Sequence, residues 1–222
     1  MYFTKDFSKF FKELAANNHK DWFDDNRKRY HSSIKEPFEA FVSDVVIATQ
    51  KIDKTIDVDP KKCIFRINKD IRFSKDKTPY KLDRSCIISK FGTKDKEYPG
   101  GYVRLSPEMC WIGGGAYYLQ KDNLLFLREK IAKDPKAFDK LVNDKTFKSY
   151  FPEGIQGEKN KIIPKEFKPA AEKSEYIANK QFYYMAEQPS GLILNKNIVE
   201  VVTDHFKAAK KVNAYMREVF DS

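Results

Sequence analysis

Gly101-Tyr102-Val103-Arg104-Leu105-Ser106-Pro107-Glu108-Met109-Cys110-Trp111-Ile112-Gly113-Gly114-Gly115-Ala116 decides how this chain is read. Gly101 to Leu105 and Cys110 to Gly113 are short alternating or apolar runs parted by a polar turn, the pattern of paired strands. The same signal recurs on either side, at Cys63 to Ile67, Cys86 to Phe91 and Ala116 to Leu119, and Gln181 to Ala186 returns as a further strand. Gly92 to Gly101 reads as a hairpin loop with Lys94, Asp95, Lys96 and Glu97 at its solvated tip. The expected centre is therefore a mostly antiparallel sheet. Gly113, Gly114 and Gly115 lose much conformational freedom on folding, so their use points to a positive φ, a bulge or a backbone that something approaches closely. Packing and the wall of a binding cleft are both open readings of them.

Around this sheet the periodicity is helical. Phe3, Phe7, Phe10, Phe11 and Leu14 form one apolar stripe with Thr4 as its cap, and Asn17 and Asn18 end it. A second helix is expected from Asn18, with Asp21 in capping-box position and Trp22, Phe23, Asn26 and Tyr30 along it. Pro37 opens a third, whose Phe38, Phe41, Val42, Val45, Thr49 and Ile52 recur at three- and four-residue intervals. Later come a helix capped by Asp122, a short one opened by Asp134-Pro135, and a final one capped by Asn195 that runs from Ile198 through Val219. Phe151 to Pro169 reads as a surface loop, and Gln188-Pro189-Ser190-Gly191 as a turn. With no repeat and no composition break, residues 1–222 are expected to form a single α+β domain, the N-terminal helices and the C-terminal helix packed on the sheet.

The 222 residues are 41% hydrophobic and 14% aromatic, enough for a sizeable core, and carry a formal charge of +10. That excess is compatible with nucleic acid or an anionic surface but is spread along the chain. Cys63, Cys86 and Cys110 are odd in number, form no C-x-x-C pair and sit in apolar strand contexts, so reduced core thiols are expected. No signal peptide or membrane-spanning run is found, and a cytoplasmic protein without membrane contact is expected. His19, His31 and His205 lack metal-ligand spacing, and neither a dinucleotide fingerprint, a P-loop nor a nucleophile elbow is present. No metal and no cofactor are expected.

The densest charge lies in Arg66-Ile67-Asn68-Lys69-Asp70-Ile71-Arg72-Phe73-Ser74-Lys75-Asp76-Lys77-Thr78-Pro79-Tyr80-Lys81. Its cations outnumber Asp70 and Asp76, and the interleaved Ile64, Phe65, Ile67, Ile71 and Phe73 are expected to anchor part of it to the core. A partly buried arginine needs a carboxylate or an anion beside it. The functional reading is a cleft in which Arg66, Arg72 and one or more of Lys75, Lys77 and Lys81 clamp a small phosphorylated or carboxylated ligand. Tyr80 and Trp22 would close its apolar side and the glycines Gly113, Gly114 and Gly115 would admit the ligand to the backbone. Asp70 is the candidate catalytic group, held ionised by Arg66 and Arg72, although an ion-pair partner with no catalytic part would look the same. The alternative is a nucleic-acid or protein-binding module on the same basic face. Nucleic acid is the less favoured, because no RNA-binding signature occurs and Phe73 and Tyr80 are the only aromatics late in the loop.

Arg66 to Lys81 resembles the signature of a family of mainly bacterial proteins catalogued as domain of unknown function 2461. Asp21-Trp22-Phe23 with Asn26 and Tyr30 is similar to its N-terminal pattern, and Gly101-Tyr102, Leu105 and the triple glycine, followed by the helix after Lys121, to its central one. This chain departs at Leu82-Asp83-Arg84-Ser85, where a Thr-x-Phe-Gly-like run is expected, and at Asn68, where an aromatic residue is expected. The resemblance implies an α+β intracellular domain and no established activity.

Overall fold

In the computed structural model, which describes residues 1–220, the N-terminal helices follow the local rules closely. Extended Thr4 accepts the Asp6 N–H at 3.2 Å and starts α1 (Lys5–Ala16), whose Phe7, Phe10, Phe11 and Leu14 form the buried stripe. Helix α2 (Lys20–Asp25) begins later than Asn18: His19 is its cap, with Nδ1 accepting the Trp22 N–H at 3.4 Å. Asn18 is drawn into a tertiary contact instead. Its amide donates to the Tyr80 carbonyl at 2.9 Å and its oxygen accepts the Tyr80 N–H at 3.1 Å.

Helix α3 (Arg27–Tyr30), a π turn over His31–Lys35 and α4 (Glu36–Ile52) continue one another through right-handed backbone. Pro37 stands in the first turn of α4, which here continues the helical run, so it removes a donor and crowds the Ser33 carbonyl, and the π turn just before it accommodates this. Asp59 then caps α5 (Pro60–Cys63), so the strand expected over Cys63 to Ile67 does not form; only Ile64 bridges Cys86, and the Phe65 N–H donates to the Ser85 carbonyl at 3.0 Å.

Strands β1 (Arg84–Ile88), β2 (Gly100–Leu105), β3 (Met109–Ala116) and β4 (Phe182–Pro189) make a sheet of order β1-β2-β3-β4, antiparallel throughout. The runs Cys110 to Gly113 and Ala116 to Leu119 are not two strands. β3 passes straight through the triple glycine, because β4 pairs with it from Met109↔Pro189 to Ala116↔Phe182 and offsets the entropy cost of the glycines, while Tyr117 to Leu119 leave the sheet. β4 likewise extends through Gln188 and Pro189, where a turn is expected.

Helices α6 (Lys121–Lys133), α7 (Pro135–Val142), α8 (Lys145–Tyr150) and α9 (Lys168–Ala171) lie between β3 and β4 in sequence. Gln120 occupies the cap position of α6 and Asp122 falls in its first turn; Asp134 caps α7 as expected, its carboxylate 3.1 Å from the Ala137 N–H. The segment from Phe151 to Pro169 is largely irregular, tied to β4 by a bridge between Gln156 and Tyr183. The expected last helix is two, α10 (Ile198–Ala208) and α11 (Lys210–Arg217), parted at Ala209, and Asn195 precedes the true cap, Asn197.

Two buried apolar clusters share the covered face of the sheet. Cys86, Ile88, Val103, Leu105, Cys110 and Ile112 pack with α1, α4 and α10, whereas Phe182, Tyr184 and Ala186 pack with α6, α7, α8 and α11. Because side chains alternate along a strand, Ser85, Ile87, Tyr102, Arg104, Trp111, Tyr183 and Met185 stand on the opposite face. That face carries the first cleft described below.

Candidate functional site

Arg66 to Lys81 is pinched at its base. Asn68 bridges Tyr80, the Lys81 N–H donates to the Ile67 carbonyl at 2.8 Å, and the Lys69 N–H to the Pro79 carbonyl at 2.8 Å. Everything between projects outward, and Phe73, expected to anchor the loop, is 95% exposed. Within the loop the charges largely answer one another. Asp70 accepts from Arg72 Nε at 2.9 Å and Nη2 at 2.7 Å, and Lys69 donates to Asp76 at 2.7 Å and to Thr78 Oγ1 at 2.6 Å. The Arg72 hydrogen bonds hold the Asp70 carboxyl below the usual range, and Lys69 does the same to Asp76. Lys77 donates to the Ile71 carbonyl at 3.0 Å. Arg72, Lys75 and Lys77 therefore lie outside the clefts described next, and so does Asp70.

Lys81 turns back from the loop base into a cleft of about 340 Å³ on the exposed sheet face. Phe65, Ile87, Tyr102, Tyr117, Tyr183 and Met185 supply apolar and aromatic walls, Lys81 and Lys96 the charge, and Gly100, Gly101, Gly114 and Gly115 a bare backbone. Gly115 has φ of 93°, a left-handed conformation that suits glycine. Gly113 does not line the cleft; Met185 covers it. The Lys81 ammonium lies 5.4 Å from the centre of the Phe65 ring and, among the described residues, forms no ion pair. Burial lowers its pKa; Asp83 opposes this, while Arg84, Arg66 and Lys96 reinforce it. Beside it the Tyr102 hydroxyl is pushed up to about 12, chiefly by burial, and so stays a neutral donor at pH 7.

Arg66 faces a different pocket, of about 410 Å³, on the far side of Phe65. Lys61, Arg66, Asn68 and Arg84 line it together with Arg27, His31, Lys35 and Glu39 from the helical run. Trp22 and Tyr80 line neither cleft. Trp22 packs on Phe10 with ring centres 5.6 Å apart, and buried Tyr80 stacks on Phe23 at 4.0 Å. The stretch from Arg66 to Lys81 thus contributes one cation to each of two clefts. Arg84, Lys96, Tyr102 and Tyr183 were not among the site residues expected from the sequence, which put Lys96 at a solvated loop tip. Arg84 did carry a signal there, since a charge in phase with Cys86 and Ile88 stands on the covered face of a strand.

The thiols are all buried, and burial raises Cys63 to about 12 and Cys110 to about 11, which makes them poor nucleophiles. Among the described residues no cluster of His, Cys, Asp and Glu has the makings of a metal site. No helix among them is long and apolar enough to cross a membrane.

An α+β chain built on an antiparallel meander, with a glycine-floored cleft on one face and a basic pocket at its edge, is the class of protein that these features define. The chain belongs to the family described as conserved hypothetical protein (domain of unknown function 2461), which it matches over residues 6–215. No curated protein and no solved structure matches it.

Proposed function

We propose that this protein binds a small molecule with a flat apolar body and an anionic phosphate or carboxylate group in the glycine-floored cleft. The observation that carries the reading is Lys81, a half-buried ammonium with no carboxylate partner at the wall of an aromatic cavity. An anion there would restore the solvation that Lys81 loses on burial, and Lys96 would add a second charge. Tyr102 offers a neutral hydroxyl, and the glycine backbone lets a planar group approach the sheet closely. The cavity volume falls in the range of small-ligand sites. Asp83, the carboxylate that acts on Lys81, is paired with Arg104 at 3.0 Å, so the reading is one of recognition.

The test is a thermal-shift screen of phosphorylated and carboxylated metabolites against the wild type and Lys81→Met. A ligand that stabilises the wild type by several degrees is expected to lose that effect in the variant. Equal stabilisation of both proteins would remove Lys81 from the site.

One observation favours nucleic acid as a second reading. The exposed sheet face bears Tyr102, Trp111 and Tyr183, with the Arg104 guanidinium 4.7 Å from the Trp111 ring centre, which is the composition of a base-stacking surface. Short oligonucleotides titrated at two salt concentrations separate the two readings. A backbone binder loses affinity steeply with salt, whereas a pocket for one anion loses little.

A further inference from the structure

Arg84 is 4% exposed, and its Nε is buried without a hydrogen-bond partner. No carboxylate among the described residues forms an ion pair with its guanidinium; its near neighbour is the Phe38 ring, 5.2 Å from Cζ. A buried charge left in that state is costly, and a folded chain tolerates it where an external counter-charge completes it. Arg84 lines the pocket of about 410 Å³ that also receives Arg66, Lys61, Lys35 and Arg27. Arg27 is paired with Asp24, and Lys35 lies 4.0 Å from Glu39. Among the described residues Lys61, Arg66 and Arg84 form no ion pair, although Arg66 acts on Asp70 at a distance and Glu39 also lines the pocket. The three come from α5, from the segment that leaves it, and from the first residue of β1, so their convergence is a product of the fold.

A π turn shapes the same pocket. His31 and Lys35, its first and last residues, both line this pocket. Pro37, two residues past it, accounts for the turn, since a proline in a continuous helix crowds the carbonyl four residues back. The turn carries a half-buried imidazole and an ammonium to the pocket wall.

We propose that this pocket is a binding site for a phosphoryl group, a phosphomonoester or diphosphate, held by Arg84 at its base and by Arg66 and Lys61 at its rim. A phosphomonoester carries about −1.5 to −2 charges near neutral pH, which suits several unpaired cations better than a single carboxylate does. Guanidinium groups grip its oxygens in a bidentate fashion. The Asn68 amide, which also lines the pocket, can donate to a further oxygen. The site is distinct from the Lys81 cleft, with which it shares only Phe65 among its lining residues, although Lys81 feels the charges of Arg66 and Arg84.

The test is calorimetric titration of the full chain with sodium pyrophosphate and with inorganic phosphate at constant ionic strength, set by chloride. The wild type is expected to bind pyrophosphate saturably at one site. Arg66→Gln and Lys61→Gln, both at exposed positions, should each weaken binding about tenfold, and Arg84→Met should abolish it. Lys81→Met should keep saturable binding with only a small loss of affinity, since Lys81 feels the charges of Arg66 and Arg84 but does not line this pocket, so this site and the glycine-floored cleft succeed or fail separately. If Arg84→Met does not fold, the Arg66→Gln/Lys61→Gln pair decides, with a loss of more than tenfold expected. Absence of saturable binding to the wild type, or affinities unchanged in Arg84→Met and in the rim pair, would overturn the proposal. Citrate binding as tightly as pyrophosphate would overturn the phosphoryl assignment.

Discussion

At Gly114 the place that a side chain would take is already filled. A Cβ built there would strike the Gly100 carbonyl oxygen and lie 2.5 Å from the Tyr184 hydroxyl. That hydroxyl donates to Asn213 Oδ1 at 3.0 Å, and the Asn213 amide donates to the Gly100 carbonyl at 3.4 Å. One glycine thus admits a buried polar network between β2, β4 and α11. Gly114→Val is expected to destabilise the protein by about 3 kcal/mol or more, through overpacking and the loss of these bonds, measured as a lower midpoint in urea. A wild-type midpoint would show that the strands can part without penalty. A need for glycine in this stretch was legible in the sequence, although the positive φ it suggested falls at Gly115 and not at Gly114. Its cause was not, because Asn213 and Gly100 are brought to Gly114 by strand pairing and by the seating of α11.

At the scale of elements, α10 carries a titratable group in a place where charge is unwelcome. His205 is 5% exposed, its Nδ1–H donates to the Val201 carbonyl at 2.7 Å, and Tyr150 and Phe151 flank the ring. Burial lowers its pKa below 6.5, with the Val201 carbonyl and Asp204 opposing the shift. The unfolded chain therefore takes up this proton at a higher pH than the folded one. Stability is full above about pH 6.5 and falls as the pH drops through that value toward the lowered folded pKa. Thermal midpoints between pH 7.5 and 5.5 should fall in the wild type and fall less in His205→Phe. Parallel profiles would assign the pH dependence to other groups.

The Arg66 to Lys81 loop shows the limit of reading elements locally. Its charge density and turn chemistry were plain, yet the expectation that Ile71 and Phe73 anchor it fails at Phe73. The contacts that shape it, Asn68 with Tyr80 and Tyr80 with Asn18, depend on a distant helix start. Once the base is pinched, the residues beyond it are carried away from the core.

For the whole molecule, Arg217 joins parts that are far apart in sequence. Its guanidinium pairs with Asp53 just past α4, donates to Thr55 Oγ1 at 2.9 Å, and reaches the Pro99 carbonyl at the head of β2 at 2.8 Å. The group is 6% exposed. Arg217→Met leaves the Asp53 carboxylate without its partner, and an expected loss of about 3 kcal/mol should appear as a lower urea midpoint with unchanged slope. A larger change in slope would mean that α11 detaches before the rest unfolds.

What the sequence determined by itself were the rough positions of the four strands, the apolar helix stripes, the antiparallel α+β class and the location of the densest basic stretch. Each of these depends on near neighbours along the chain, through side-chain periodicity, capping and turn chemistry. The tertiary structure alone decided which cations share a cavity: Lys81 opens onto the sheet, Arg66 joins Arg84 and Lys61, and Arg72 is answered by Asp70. Sequence spacing could not rank them, because the direction each side chain takes is set by strand pairing and by helices that dock from elsewhere in the chain.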